Sequence, residues 1–221
     1  MSDRDDDVGQ FGTGRARTAR TGVAQWPPLW PDKTIVYQID ADLPSPERVT
    51  SAIAHWRANT TLKFVQRTPA NEASHPNYVR VTKGALCWSS HVGCNGGEQQ
   101  IKLGPSCKFG EVIHEIGHVV GLDHEHARRD RDQWIRIILD KVPEPKREYL
   151  EKLSAGKDFG EYDYGSIMHY PADALTDDKS VSIIPLKPTT AKIGQREKLS
   201  KRDIATVEHL YSEFPPGKDA M

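Results

Sequence analysis

His114-Glu115-Ile116-Gly117-His118-Val119-Val120-Gly121-Leu122-Asp123-His124 is the stretch on which the chain turns. His114 and His118 stand four residues apart, so on a helix turning ~100° per residue their side chains share one face. Two imidazoles so placed can grip one Zn2+ at about 2.0–2.1 Å each. Glu115 lies one step round the helix, close enough to reach a water on such an ion without displacing it. His124 needs a separate explanation, because on a continuing helix it would be rotated roughly 80° from His114. The helix must therefore stop and the chain turn back. Gly121 falls where that turn is needed, and glycine tolerates the left-handed conformation that ends helices. Three neutral nitrogens leave a fourth position for water, the arrangement of a catalytic zinc and not of a closed structural one. A chance His-Glu-x-x-His on a surface helix would have no reason to carry Gly121 and His124 as well. An inert zinc module would have no use for Glu115.

Past the third histidine the sequence runs Glu125-His126-Ala127-Arg128-Arg129-Asp130-Arg131-Asp132, and further on comes Ser166-Ile167-Met168-His169-Tyr170. On these motifs, in this order, the chain resembles a metzincin metallopeptidase and, within that group, the astacin family. The similarity runs from about Leu29-Trp30 to Leu210-Tyr211. It implies an α+β, two-lobed catalytic domain. The upper lobe would hold a mixed twisted sheet and two long helices, and the lower lobe would be mostly irregular with a C-terminal helix. It implies one catalytic Zn2+ held by His114, His118 and His124. Glu115 would be the base that deprotonates the bound water and later protonates the leaving amine. Met168 would form a hydrophobic floor beneath the metal. Tyr170 would approach the zinc as a fifth ligand and swing away to hydrogen-bond the oxyanion, a role open to a phenol because it can donate to developing negative charge. The implied function is zinc-dependent endopeptidase hydrolysis of protein or peptide substrates bound in extended conformation. The alternative from another class is a catalytically silent, secreted metal-binding or adhesion module with the same fold, and the intact Glu115 and Tyr170 count against it.

At 221 residues the chain suits one domain, or two small lobes around a cleft. Lysine and arginine number 30 against 31 acids, a formal charge of −1, so no global field points to nucleic acid or to an acidic membrane. No apolar run is long enough to span a bilayer. The opening Met1-Ser2-Asp3-Arg4-Asp5-Asp6-Asp7 lacks the basic start and apolar core of a signal peptide. A secreted, extracellular monomer is expected from the resemblance and the cysteine usage. The three cysteines, Cys87, Cys94 and Cys107, leave open three reduced thiols in a cytosolic protein, or a pairing of Cys94 with either of the others. The resemblance implies a Cys87–Cys107 disulfide, with Cys94 left over. Closing that loop of about twenty residues would contribute roughly 3 kcal/mol in the chain-entropy model. The family's second bridge is missing at both ends, where Thr61 and a cysteine-free tail near Phe214 stand.

Residues 1–20 hold clustered acids, then glycines and arginines, and read as a disordered leader or short propeptide. Phe11-Gly12-Thr13-Gly14 echoes the family's propeptide pattern but lacks its blocking aspartate. By resemblance the mature amino terminus falls at Thr21, where a trypsin-like activating protease would cut after Arg20, and Glu125 would receive the freed ammonium. The catalytic domain is thus expected over 21–214, followed by a flexible tail, 215–221.

Within the domain, Thr34 to Asp40 alternates as a strand. Ser45 is expected to cap a helix with Pro46 at its first position and with Val49, Ile53 and Trp56 as its buried stripe. His55 on that helix is expected to be exposed. Leu62–Gln66, Tyr78–Thr82 and Gln99–Leu103 read as strands. Leu86–Ser90 aligns with the edge strand at the rim of the cleft, where an extended peptide can add as a further strand, with Trp88 and Ser89 as rim contacts. The charge-dense Arg128–Asp132 would lock the start of the lower lobe through ion pairs. Trp134–Leu139 is expected to be extended, Pro145–Leu153 helical and Val181–Ile184 a short strand. His169 reads as structural, since the three-histidine set is already full. Ser200 and Asp203 form a capping box ahead of a last helix that buries Ile204, Val207, Leu210 and Tyr211 and ends at Pro215-Pro216. Arg196, Lys192 and Lys187 are basic candidates for a specificity pocket that favours acidic side chains after the scissile bond.

Overall fold

A computed structural model describes residues 28–154 and 156–213. The leader, the Thr21 terminus, the tail near Phe214 and the Pro215-Pro216 stop lie outside the described residues. Apolar and β-branched alternation draws the first half of the chain into β1 (Thr34–Ile39), β2 (Lys63–Gln66), β3 (Tyr78–Lys83), β4 (Trp88–Ser89) and β5 (Glu98–Leu103). Between β1 and β2 lies α1 (Glu47–Asn59), and after β5 comes α2 (Phe109–Val120). The sheet order is β2-β1-β3-β5-β4. Its first four strands are parallel and β4 runs antiparallel to β5, with Trp88 opposite Lys102 and Ser89 opposite Ile101. The parallel strands need crossovers, and α1 supplies the one between β1 and β2.

Val49, Ile53 and Trp56 of α1 pack with Val112, Ile113, Ile116 and Val119 of α2 and with Ile35, Val79, Val81 and Ile101 of the sheet. Each such side chain contributes on the order of 1.5–3 kcal/mol by leaving water. Trp56 also ties the helices together, its Nε1–H donating to the Ile113 carbonyl at 3.2 Å.

Two expectations for this region fail. Ser45 does not cap α1 through its side chain. It sits in the left-handed region at φ 52°, and only its carbonyl serves the helix, accepting the Arg48 N–H at 3.3 Å. His55 is not exposed but half-buried. It stands edge-on to Phe109 at 5.8 Å, and its Nε2 accepts the Leu199 N–H at 3.2 Å, because the approach to the last helix packs against this face of α1.

A second core, of Ile135, Val142, Leu150, Tyr162, Tyr164, Tyr170, Ala174, Leu175 and Ile183, forms the lower lobe. It carries the antiparallel pair β6 (Ile135–Ile137) and β7 (Ile183–Pro185). β6 is shorter than the expected extended stretch because Leu139–Lys141 closes into a 3-10 turn. The helical expectation near Pro145 is met by a 3-10 helix, Glu144–Leu150. Pro143 and Pro145 there remove two N–H donors from the first turn.

The chain ends in α3 (Lys201–Glu213). Its capping box is formed: Asp203 N–H donates to Ser200 Oγ at 2.9 Å and Ser200 N–H to Asp203 Oδ2 at 2.8 Å. Although α3 follows the lower lobe in sequence, Val207, Leu210 and Tyr211 join the upper core, and the Tyr211 hydroxyl donates to the Val120 carbonyl at 3.1 Å.

Cys87 and Cys107 form a disulfide with Cα atoms 5.7 Å apart, and Cys94 is a buried free thiol. The alternatives of three reduced thiols or a Cys94 pairing are thereby excluded. At Thr61, where the family's second bridge would begin, the N–H and hydroxyl both donate to the Glu208 carboxylate of α3, at 2.5 and 2.6 Å.

Candidate metal centre

α2 is buried almost throughout. Gly121 ends it at φ 113°, its N–H donating to the His118 carbonyl at 3.0 Å and the Leu122 N–H to the Gly117 carbonyl at 2.9 Å. The Leu122 carbonyl freed by this turn accepts His118 Nδ1–H at 2.9 Å. The turn therefore reverses the chain and orients the second histidine at once. His124 returns to the cluster, so that one ligand atom from each of His114, His118 and His124 lies within 4.8 Å of the others, and all three residues are buried. His114 Nδ1–H donates to the Ile167 carbonyl at 2.8 Å. A carbonyl can only accept, so His114 and His118 both carry their proton on Nδ1 and present a bare Nε2. Three buried imidazole nitrogens, two of them fixed in the ligating tautomer, fit zinc by donor type and number.

Glu115, the neighbour of the first histidine, is 3% exposed. Beneath the cluster the chain from Ser166 to Tyr170 crosses between the lobes, with Ile167 and Met168 in the upper core and Tyr170 in the lower. Asp203 fastens this turn. Its carboxylate accepts the Ser166 hydroxyl at 2.6 Å and the Ile167 N–H at 2.9 Å, while Ser166 Oγ accepts the Met168 N–H at 2.9 Å. Burial pushes the Asp203 carboxyl above the usual carboxylate range, and these donors pull it back. Tyr170 stands edge-on to His124, centroids 4.6 Å apart, and lies face to face with His126 at 3.9 Å. His169 donates Nδ1–H to the Tyr170 carbonyl at 2.6 Å and accepts the Tyr162 hydroxyl on Nε2 at 2.8 Å. Both of its ring nitrogens are committed, and burial lowers its pKa to about 4.

Glu125 donates its N–H to the Met168 carbonyl at 3.1 Å, accepts the Asp163 N–H at 2.7 Å and faces Arg128 at 3.5 Å. Burial pushes its carboxyl up to about 8, against the pull of Arg128 and of that N–H. It opens on a cavity of about 300 Å3 whose lining includes Asp123, His124, Ser166, Met168 and Asp203. Arg128 grips Asp130 through Nε and Nη2 at 2.9 and 2.8 Å, and Arg131 pairs with Asp132 at 3.3 Å.

At the rim, Trp88 is half-buried under Lys102, whose Nζ lies 5.3 Å from its ring. Ser89 is turned inward, its hydroxyl donating to the His91 carbonyl at 3.3 Å. The basic candidates are engaged elsewhere. Arg196 Nη1 donates to the carbonyls of Ile167 and His169 at 3.0 and 3.1 Å, Lys192 pairs with Glu197 at 2.7 Å and Lys187 lies over Trp134 at 3.3 Å. Sequence reasoning gave no site role to His126 or Gly117, treated Asp203 only as a helix cap and named Arg196 only as a basic candidate for a specificity pocket. Gly117 alone carried a signal: a glycine mid-helix costs about 1 kcal/mol against alanine, so a close neighbour was to be looked for.

A sheet and two helices thus deliver a buried three-imidazole cluster, the donor set of a metal-binding protein, to the floor between two cores. The family model Astacin, a peptidase family, matches residues 23–212, and the chain belongs to that family. It is 37% identical over 216 residues to astacin-like metalloprotease toxin 1 of Loxosceles intermedia, covering 93% of this chain and 79% of the toxin. It is 37% identical to the bone morphogenetic protein 1 homolog of Strongylocentrotus purpuratus over 89% of this chain, but spans only 33% of that relative's length. Among solved structures it is similar to high choriolytic enzyme 1, a hatching enzyme zinc-protease from Oryzias latipes. That likeness has TM-score 0.73 at 29% identity over 81% of this chain and 89% of that one.

Proposed function

We propose that this chain is a zinc-dependent endopeptidase with its catalytic domain over residues 21–214. The observation that carries the reading is the set of His114, His118 and His124, with ligand atoms within 4.8 Å and two rings held by the carbonyls of Ile167 and Leu122, next to buried Glu115. Those three histidines would hold the zinc, which when bound supplies Lewis acidity to a water and to a peptide carbonyl. Glu115 takes the proton of the attacking water and returns it to the leaving amine. The Tyr170 hydroxyl donates to the oxygen on which negative charge develops, and Met168 closes the floor. An extended peptide adds as a further strand at the edge strand β4, pairing with backbone beside Trp88 and Ser89.

A cut after Arg20 by a trypsin-like protease frees Thr21, and its ammonium enters the cavity at Glu125. Sequencing the amino terminus of the active form tests this, and a start elsewhere would refute it. An extracellular location agrees with the Cys87–Cys107 disulfide, and among the described residues no helix is long and apolar enough to cross a membrane. The decisive experiment is Glu115→Ala: hydrolysis of casein or gelatin is lost while zinc content stays at one per chain. Turnover that persists in the variant overturns the mechanism.

A further inference from the structure

We propose that His126, which is not one of the three candidate ligands, is a positioning residue for the Tyr170 phenol. The inference rests on the peptidase reading given above and deepens it. His126 is fully buried, at 0% exposure. Its Nε2–H donates to the Tyr149 carbonyl at 3.0 Å, which settles the tautomer and the azimuth of the ring, since a carbonyl can only accept. Its backbone is held by the same neighbourhood: Arg131 Nη1 donates both to the His126 carbonyl, at 3.0 Å, and to the Leu150 carbonyl. Tyr149 and Leu150 belong to the 3-10 helix Glu144–Leu150, so this short element holds the ring of His126 directly and its main chain through Arg131.

The face of that fixed ring lies against Tyr170. The two planes are 27° apart with centroids at 3.9 Å, closer than most aromatic pairs stand. His124 also lies against the phenol, meeting it edge-on at 4.6 Å and 62°. Tyr170 is thus held between a candidate metal ligand and a ring that has no part in the metal cluster. A face-to-face contact resists tilting but leaves sliding within the ring plane free. His126 therefore defines the plane in which the Tyr170 hydroxyl stands or travels, and with it the line along which that hydroxyl reaches a substrate oxygen. Leucine or valine would fill the same volume without a flat face and without the anchor to Tyr149.

The test has two parts. In the metal-free protein, NMR of ring-labelled tyrosine should show the Tyr170 ring resonances shifted upfield by the stack, and His126→Ala should remove that shift. Unchanged resonances would refute the positioning role. In the zinc-loaded enzyme acting on a fluorogenic peptide, His126→Ala should lower kcat about tenfold, as a misplaced catalytic group does. KM should stay within about twofold, since substrate binding is untouched. His126→Phe, which keeps a flat face, should recover most of the rate. On a Tyr170→Phe background His126→Ala should cost less than about a further twofold, because the group it positions is gone. Losses that multiply in full would show that His126 acts elsewhere and would overturn the proposal. If His126→Ala does not fold, His126→Asn keeps a donor for the Tyr149 carbonyl, lacks the ring and carries the same expectations. A folded, zinc-loaded wild type that cleaves no peptide would sink the peptidase reading instead, and the metal-free comparison would still decide the stack.

Discussion

Gly117 and Met168 interlock: a Cβ built on Gly117 would fall inside 3.0 Å of Met168 Sδ and at 3.2 Å from its Cε. Met168 is 1% exposed, so its thioether must shift within the core, or towards the cavity it lines, to admit the methyl. In open space, alanine in the middle of α2 would be more stable than glycine by about 1 kcal/mol. Here overpacking reverses the sign. Gly117→Ala is expected to destabilise the metal-free protein by about 1–3 kcal/mol, read as a lower urea midpoint. Met168→Ala on the same background should recover part of that loss. A Gly117→Ala protein more stable than wild type would show that the methionine floor yields freely.

The parts of this molecule that were legible in its sequence are those governed by rules acting over a few residues. The helix from Phe109, the turn at Gly121, the strand alternation of Thr34–Ile39 and the Ser200–Asp203 cap all belong here, as does the grouping of the three histidines. What escaped is contact between distant segments. The exposure assigned to His55 was wrong because Leu199, 144 residues away, packs on that face. Arg196 read only as a basic candidate for a specificity pocket because nothing nearby in sequence foretells that its guanidinium lies against the carbonyls of Ile167 and His169. Likewise His126 sits inside a motif that explains its neighbours, yet its contact with Tyr170 joins two motifs that are 44 positions apart. Ser45 failed for a local reason: a left-handed backbone denies its hydroxyl the first turn.

The Ile167 carbonyl accepts from both His114 Nδ1 and Arg196 Nη1, at 2.8 and 3.0 Å. Arg196 thus helps to hold the group that orients a candidate ligand. Arg196→Ala is expected to weaken zinc binding by less than the roughly 10–100-fold cost of losing a ligand's own hydrogen-bond partner, because the Ile167 carbonyl itself stays in place. Arg196→Lys should fall between, because a single ammonium cannot reproduce the planar fork. Competition with a metal-indicator dye measures both. Unchanged zinc affinity together with an altered preference for acidic residues after the scissile bond would return Arg196 to a specificity role.

Acid should loosen the corner at Arg128. Both Asp130 oxygens accept from its guanidinium, and this bonding holds the Asp130 carboxyl below the usual carboxylate range. The folded pKa lies below the unfolded one, so the unfolded chain takes up the proton first as pH falls. The stability from this pair is therefore present above the ordinary aspartate value of about 3.9 and is lost as pH drops through it towards the folded value. The urea midpoint of wild type should decline below about pH 5. Asp130→Asn should start lower at neutral pH and decline less steeply. Parallel curves for the two proteins would show that Asp130 is not part of the acid response.

Asp203 joins the last helix to the metal centre, and the two attachments can be separated. Its carboxylate accepts the Ser200 N–H at the start of α3 and also the Ser166 hydroxyl and the Ile167 N–H of the methionine turn. Asp203→Ala would leave these buried donors unpaired, at a cost of about 1–3 kcal/mol for each group that water cannot reach. The damage should spread, because the Ile167 carbonyl orients His114. Ser200→Ala, by contrast, leaves the methionine-turn donors on Asp203 in place; it removes the acceptor of the Arg202 and Asp203 N–H groups and the hydroxyl that donates to Asp163 Oδ2, and should cost about 1–2 kcal/mol. Urea unfolding and zinc titration of the same samples separate the cases. Asp203→Ala should lose stability and zinc affinity together, and Ser200→Ala stability alone. If the serine variant loses as much zinc affinity as the aspartate variant, the link runs through the helix itself and not through the carboxylate that spans the two elements.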